Sequence, residues 1–494
     1  LLLAFCALFL SYERTALVFF VTLPMGLAAL WALSKAVAKV KTVVAQLRWW
    51  HILWLLMLLS GLVFRVRDTE AASENPLDLW GLYRVALMGI IGFVLLYRLA
   101  RHRPDWARSL ARGLIGLIAG YALLSIASAA WSVYPTWTLY KSTEFLIDVA
   151  LITAIVASIR APEEFATFFD WTWLLIALLV GTAWLGAVIW PNRAFIHGVG
   201  LLGIQLRGVL PAIDSNGLAE LSAVLGIVFL TRFLFASGQK SFYILGFLAA
   251  VSTLILAQGR SALAGFVVAS CLALFATRRI GLIALCSPLI LSLLALTPAA
   301  EVFWEFLLRG QQAEYFDSLS GRTDIWRLGW TLAQEQPLTG YGAYAGPRFA
   351  GAISPMGARA SSMLSTWFEI LLGLGFPGAV LVLGALLAVW VTLLRFVYKV
   401  KGKNVLMRRL ALEALGVLTV ISVRSIFTPN LIWHPPVSFL LVLGFAEFIR
   451  RTYRSRADKT THKEQLYGLG RLQKRGWQVT DAGFSSSEAP SRIL

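Results

Sequence analysis

The sequence predicts an all-α polytopic membrane protein of about twelve to fourteen transmembrane helices with one long outer loop. Three observations carry that prediction. Hydrophobic residues make up 58% of the chain and charged residues only 14%, the proportions of a membrane protein. The apolar residues fall in blocks of about 17 to 25, the length that spans hydrocarbon. Lys and Arg gather in alternate loops, as the positive-inside rule requires, so the formal charge of +18 needs no nucleic-acid partner.

The apolar runs lie at about 1–12, 15–34, 49–64, 80–98, 113–131, 137–159, 168–190, 216–235, 241–258, 261–277, 281–298, 365–394, 410–427 and 432–449. Basic loops at 35–48, 98–112 and 395–409, with Arg232/Lys240 and Arg278/Arg279, fall on one side if every run crosses, and the tail after Arg450 joins them. The parity closes with both termini cytoplasmic. The stretch 241–277 is long enough for one helix, but both flanks are basic, so it must cross twice and turn at Gln258-Gly259-Arg260-Ser261. Cys6, Cys271 and Cys286 sit inside apolar runs without paired spacing, which indicates neither a disulfide framework nor a metal site. No cofactor motif is present. The expected organisation is a set of N-terminal helices over 1–130, a core over 131–450 containing the outer loop 298–364, and a basic, partly disordered tail over 451–494.

The outer loops at 65–79, 191–215 and 298–364 keep Arg and lack Lys. Arg is the residue whose planar fork binds phosphate oxygens in pairs. Within the longest loop, Trp326, Trp330 and Ala333 recur at helical spacing and Pro337, Gly340 and Gly342 end the pattern. That pattern predicts a short helix over 321–335 lying in the interface with Trp at headgroup depth. Residues 343–364, rich in Gly, Ala and Ser, read as a mobile loop or lid.

The candidate site residues come from these loops, each with an ordinary structural alternative. Arg260, at the end of two short helices, is either an anion ligand or a snorkelling side chain. Arg322, beside Gly321 at a helix start, offers a guanidinium together with free backbone N–H groups, or simply pairs with Asp324. Arg207 is a third possible anion ligand, ahead of an N-cap at Asp214-Ser215-Asn216-Gly217. Lys141, Glu144 and Asp148 share one face of a span, as an ion-pair ladder or a cavity lining. Two residues are candidates for a base. His434 lies in the turn before the last run, with Arg424 one turn inside the preceding helix. Glu369 lies in the first turn of its span, where a carboxylate also complements the helix dipole. Asp68 and Glu70 superficially match paired metal-holding acids, although a solvated loop explains them as well.

The order of these elements resembles the O-antigen ligase and O-antigen polymerase superfamily of bacterial envelope glycosyltransferases. The resemblance covers roughly 130–450 and rests on Trp131-Ser132, Arg207-Gly208, Gly259-Arg260-Ser261, Ser320-Gly321-Arg322 with Trp326, Pro337-Leu338-Thr339-Gly340-Tyr341-Gly342, Thr366-Trp367-Phe368-Glu369 and Gly375-Phe376-Pro377-Gly378. It implies a multi-pass protein of the inner membrane with its active site facing the periplasm. Its donor would be an undecaprenyl-pyrophosphate-linked glycan, and its acceptor another glycan chain or a lipid A-core sugar. Arg260, Arg322 and Arg207 would hold the pyrophosphate, and attack by the acceptor hydroxyl would invert the anomeric centre, without a cofactor or a metal. One departure stands out. The family commonly carries a His-Asn pair just before the Thr-Trp start of the span after the long loop, and this chain reads Met363-Leu364-Ser365 there. His434 or Glu369 would then supply the base, unless the activity of this member is altered. The other classes weighed are a transporter or flippase of lipid-linked sugars and a metal-dependent glycosyltransferase using Asp68 and Glu70. The absence of an apparent internal repeat speaks against the transporter.

Overall fold

The computed structural model describes residues 45–64, 79–102, 110, 112–197, 203–236, 238–279, 308, 322–353, 362–399, 404–452, 477–480 and 483–486. They form a helical bundle: α1 (Trp49–Ser60), α2 (Leu79–His102), α3 (Gly113–Ala127), α4 (Pro135–Ser158), α5 (Pro162–Ile189), α6 (Ser215–Phe235), α7 (Lys240–Ala257), α8 (Arg260–Ala276), α9 (Arg322–Glu335), α10 (Ala345–Ile353), α11 (Thr366–Lys399) and α12 (Val405–Ser425), followed by α13 over 437–452. Two short antiparallel pairs accompany them: β1 (Phe195–His197) with β2 (Ile204–Leu206), and β3 (Trp477–Thr480) with β4 (Gly483–Ser486) in the tail.

Among the described residues six helices are long and apolar enough to cross a membrane, fewer than the twelve to fourteen expected. The difference has identifiable sources. Helices α1 and α8 are apolar but short, and α4 carries Lys141, Glu144 and Asp148 in its length. The runs at 1–12, 15–34 and 281–298 lie outside the described residues, as do Asp68 and Glu70.

The double crossing at 241–277 is present. Gln258 takes a left-handed conformation at the end of α7, and α8 starts two residues later. A side chain at Gly259 would collide with Ala219 Cβ, so only glycine lets this turn close onto α6. Helix α7 packs on α6, whereas α8 packs on α12. The predicted helix N-cap is also found, with Asp214 accepting from the N–H groups of Asn216 and Gly217.

Three of the motifs that looked unrelated in sequence form one knot. The segment following α9 threads into a bend of α11. Tyr341 N donates to Leu372 O at 2.8 Å, Gly342 N to Gly373 O at 3.0 Å, and Phe376 N to Pro337 O at 2.8 Å. These contacts give partners to backbone that the bend frees from helical bonding. The bend itself is at Gly375, with φ +62°, where a Cβ would meet the Pro337 carbonyl. The Trp131-Ser132 corner closes the other side: Trp131 Nε1 donates to Thr339 O at 3.0 Å and Val133 N to Tyr341 O at 3.0 Å. Tyr341 further donates its hydroxyl to Glu335 at 2.8 Å, and burial followed by that carboxylate pushes its phenol up to about 12.

In the long loop the helix over 322–335 is present, and its two indoles differ: Trp330 is 46% exposed, whereas Trp326 is turned toward the protein. Its ring stacks 5.7 Å from Phe368 and its Nε1 donates to Met363 O at 2.9 Å, since burying the indole with a partner satisfies both its apolar body and its N–H. The supposed lid is helical over Ala345–Ile353, with Ala350 fully buried, while residues 354–361 lie outside the described residues.

Candidate active site

The polar groups converge at one end of the bundle around residues 424–436, the segment joining α12 to α13. Helices α8 and α12 run antiparallel: Gly265 approaches the Val420 backbone within 3.1 Å, and Arg408 Nη2 reaches Ala276 O at 3.2 Å near the other end. That register sets Arg260, at the start of α8, level with Arg424, at the end of α12. The first turn of α9, with Arg322, sits beside the same end, because Trp326 lies 6.1 Å from the Phe427 ring. The starts of α8 and α9, with Arg260 and Arg322, therefore both lie near the α12 terminus, and both arginines are partly buried.

Arg207 stands farther out. Its strand is tied to the α7–α8 turn, where Gln205 Nε2 donates to Ala257 O at 3.0 Å and Gln258 Nε2 to Ile204 O at 2.7 Å. The Arg207 side chain is exposed, and its Nε is committed to Arg193 O at 2.7 Å.

Arg424 was legible only as a neighbour of the His434 turn. It is 3% exposed, with Nε 2.7 Å from Glu220 Oε2 and Nη1 donating to Asn216 O at 3.0 Å. Its contacts bring the first turns of α6 to the α12 terminus.

The two candidate bases lie on either side of the same turn and differ in what remains available. Ser60 Oγ is 2.6 Å from Met57 O, a carbonyl that can only accept, so the single hydroxyl hydrogen goes there. His434 Nε2, 2.7 Å from Ser60 Oγ, is then the donor. Nδ1 lies 2.6 Å from Asp148 Oδ2, a contact that requires a proton between them. Both ring nitrogens are thus engaged, and the imidazole is buried. Asp148 belongs to the charged face of α4, whose other members form an ion-pair cluster: Glu144 takes a two-pronged contact from Arg84 at 2.6 and 2.8 Å and one from Lys141 at 2.9 Å. Spacing placed Asp148 on that face, but nothing in the sequence paired it with His434, 286 residues away, or with Ser60.

Glu369 is 2% exposed and half committed. Its Oε1 accepts from Ser362 Oγ at 2.6 Å and from Met363 N at 2.8 Å. Its Oε2 has no hydrogen-bond partner among the described residues, and neither has the indole N–H of Trp433, which bears on the same carboxyl. Buried polar atoms are nearly always paired, so two such atoms close together call for a partner that the described residues do not supply. Tyr344, whose hydroxyl donates to Ile432 O at 3.0 Å, holds the turn that carries Trp433.

A bundle of apolar helices with arginines and a buried carboxyl gathered at one end defines a multi-pass membrane protein with a polar candidate site. The comparison with known families then places it more closely. Residues 245–383 match the family described as O-antigen ligase, so this stretch is similar to the O-antigen ligase superfamily of membrane glycosyltransferase-like ligases and polymerases. The matched stretch includes Arg260, Arg322 and Glu369, whereas Arg207 and His434 fall outside it. No curated protein matches the chain.

Proposed function

We propose that this protein transfers a glycan from an undecaprenyl-pyrophosphate carrier to an acceptor hydroxyl, at the periplasmic face of the inner membrane, with Glu369 as the base. The observation that carries the reading is the pair of open atoms, Glu369 Oε2 and Trp433 Nε1, within the same end of the bundle as Arg260 and Arg322. A hydroxyl placed between those two atoms would donate to the carboxylate and accept from the indole. Its oxygen attacks the anomeric carbon as its proton passes to Glu369. The bond from that carbon to the phosphate oxygen breaks, and the lipid pyrophosphate leaves with the electron pair.

Arg260 and Arg322 are the ligands for the charge that grows on the leaving group, and Arg207, farther out, is an outlying contact. Fixed guanidinium groups in a site of low dielectric stabilise that charge far more than water-exposed ones would. His434 has a different part in this reading. With no lone pair left for an acceptor, it joins α1, α4 and the turn, and so fixes Trp433 opposite Glu369.

The test is transfer by purified protein supplied with undecaprenyl-pyrophosphate oligosaccharide and a panel of glycan and lipid A-core acceptors. Product formation that collapses in Arg260→Ala and Arg322→Ala, in folded protein, is the expected result. Full activity in both variants would overturn the assignment. Movement of lipid-linked sugar across vesicles without any transfer would instead favour a transporter.

A further inference from the structure

A second polar cluster lies on α4, outward along the same face that carries Asp148. Arg348, on α10, places its guanidinium 4.1 Å from the centre of the Trp137 ring. Lys141 Nζ lies 5.1 Å from the same ring and 4.8 Å from that of Tyr140. Lys141 is 8% exposed and has Glu144 as its ion-pair partner, but Glu144 is already engaged by both prongs of Arg84. The next acid on the face, Asp148, is held by His434.

Arg84 and Lys141 therefore share a single carboxylate, and Arg348 stands on the same Trp137 ring as Lys141 with no carboxylate of its own among the described residues. Arg348 is exposed and, among the described residues, makes neither a hydrogen bond nor an ion pair. A guanidinium held over an indole is partly pre-organised and keeps N–H donors for a planar anion. Beyond it, at the start of α4, Trp131 and Tyr134 are 41% and 43% exposed, giving aromatic surface of the kind on which sugar rings stack.

We infer that this cluster is a subsite for an acidic sugar, with Arg348 and Lys141 receiving the carboxylate of a uronic acid-type residue against Trp137. The inference rests on the glycan-transfer reading above, since a glycan reaching outward from Glu369 would pass along α4. It adds the substrate class: the glycan handled here carries negative charge. An unpaired guanidinium beside a lysine whose counter-charge is shared favours an anion over a neutral hydroxyl, and a lipid phosphate is the competing source of that anion.

The experiment is equilibrium binding to the purified, detergent-solubilised full chain of a tetrasaccharide containing glucuronate and of its carboxyl-reduced counterpart. Arg348→Gln keeps an exposed polar side chain and removes the charge, and Trp137→Leu removes the stacking surface. The parent should bind the acidic tetrasaccharide about tenfold more tightly than the reduced one, and Arg348→Gln should abolish that preference. Equal binding of the two sugars, or a preference that survives Arg348→Gln, would overturn the subsite. So would a result in which Arg348→Gln altered only association with nanodiscs of anionic lipid. The glycan-transfer reading is judged separately by turnover: transfer that persists without an acidic preference removes the subsite alone, and absence of transfer with the preference intact removes only the reaction.

Discussion

The two ends of the helix bundle bury charge in opposite ways. At the end away from the candidate site, Arg232 is gripped between Asp170 at 2.7 Å and Glu413 at 3.1 Å, Arg409 approaches Glu413 at 3.4 Å, and Trp173 Nε1 donates to Glu413 at 3.3 Å. Each charge in this cluster has an opposite charge beside it. At the site end, Glu369 Oε2, Trp433 Nε1, Asp148 Oδ1 and Asn430 Oδ1 are buried and have no hydrogen-bond partner among the described residues. A closed network ties helices together, since each ion's desolvation is offset by its partners. An open one gives up part of that compensation, which is understandable where a substrate supplies the missing bonds.

The contrast can be broken from either side. Glu413→Gln should have the largest effect on the fold, because it leaves Arg232 with Asp170 as its one counter-charge in this cluster, at a cost of about 1.5–3 kcal/mol. The thermal midpoint in detergent should fall, with transfer per folded molecule unchanged. At the site end the effect should be on rate. Arg260→Ala or Arg322→Ala should each lower kcat about 10²–10³-fold with the unfolding midpoint nearly constant, as expected for a lost transition-state charge contact. His434→Ala falls between the two, since it strands Asp148 and should cost about 1–3 kcal/mol while lowering transfer less than either arginine variant. Ser60→Ala is the mildest, about 1 kcal/mol of stability and little change in rate, because the imidazole loses only a hydroxyl acceptor.

How far the sequence could see depended on whether a feature was local. The turn between α7 and α8 was readable because the basic flanks at Lys240 and Arg278 require an even number of crossings. The Asp214 cap and the helix at 322–335 were readable because capping and helical spacing involve a few neighbouring residues. The knot joining Trp131, Pro337–Gly342 and Leu372–Phe376 was visible only as separate motifs, since hydrogen bonds between segments distant in the chain leave no periodic trace. For the same reason Asp148 could be placed on a polar face but not opposite His434, and Ser60 gave no signal at all. Glu369 was placed in the first turn of its span, but which of its oxygens stays open depends on the loop at 362–363 folding back over it.

Glu369→Gln tests the account most directly, because the amide keeps the shape of the side chain and loses the ability to take a proton at neutral pH. Unfolding midpoint and single-turnover transfer would be measured on the same preparation. The expected result is a midpoint within a few degrees of the parent and a fall in rate of about 10²–10⁴-fold, the range for removing a general base. A variant that transfers at the parental rate, or that loses its fold while each surviving molecule remains fully active, would show that the carboxyl at 369 belongs to the scaffold.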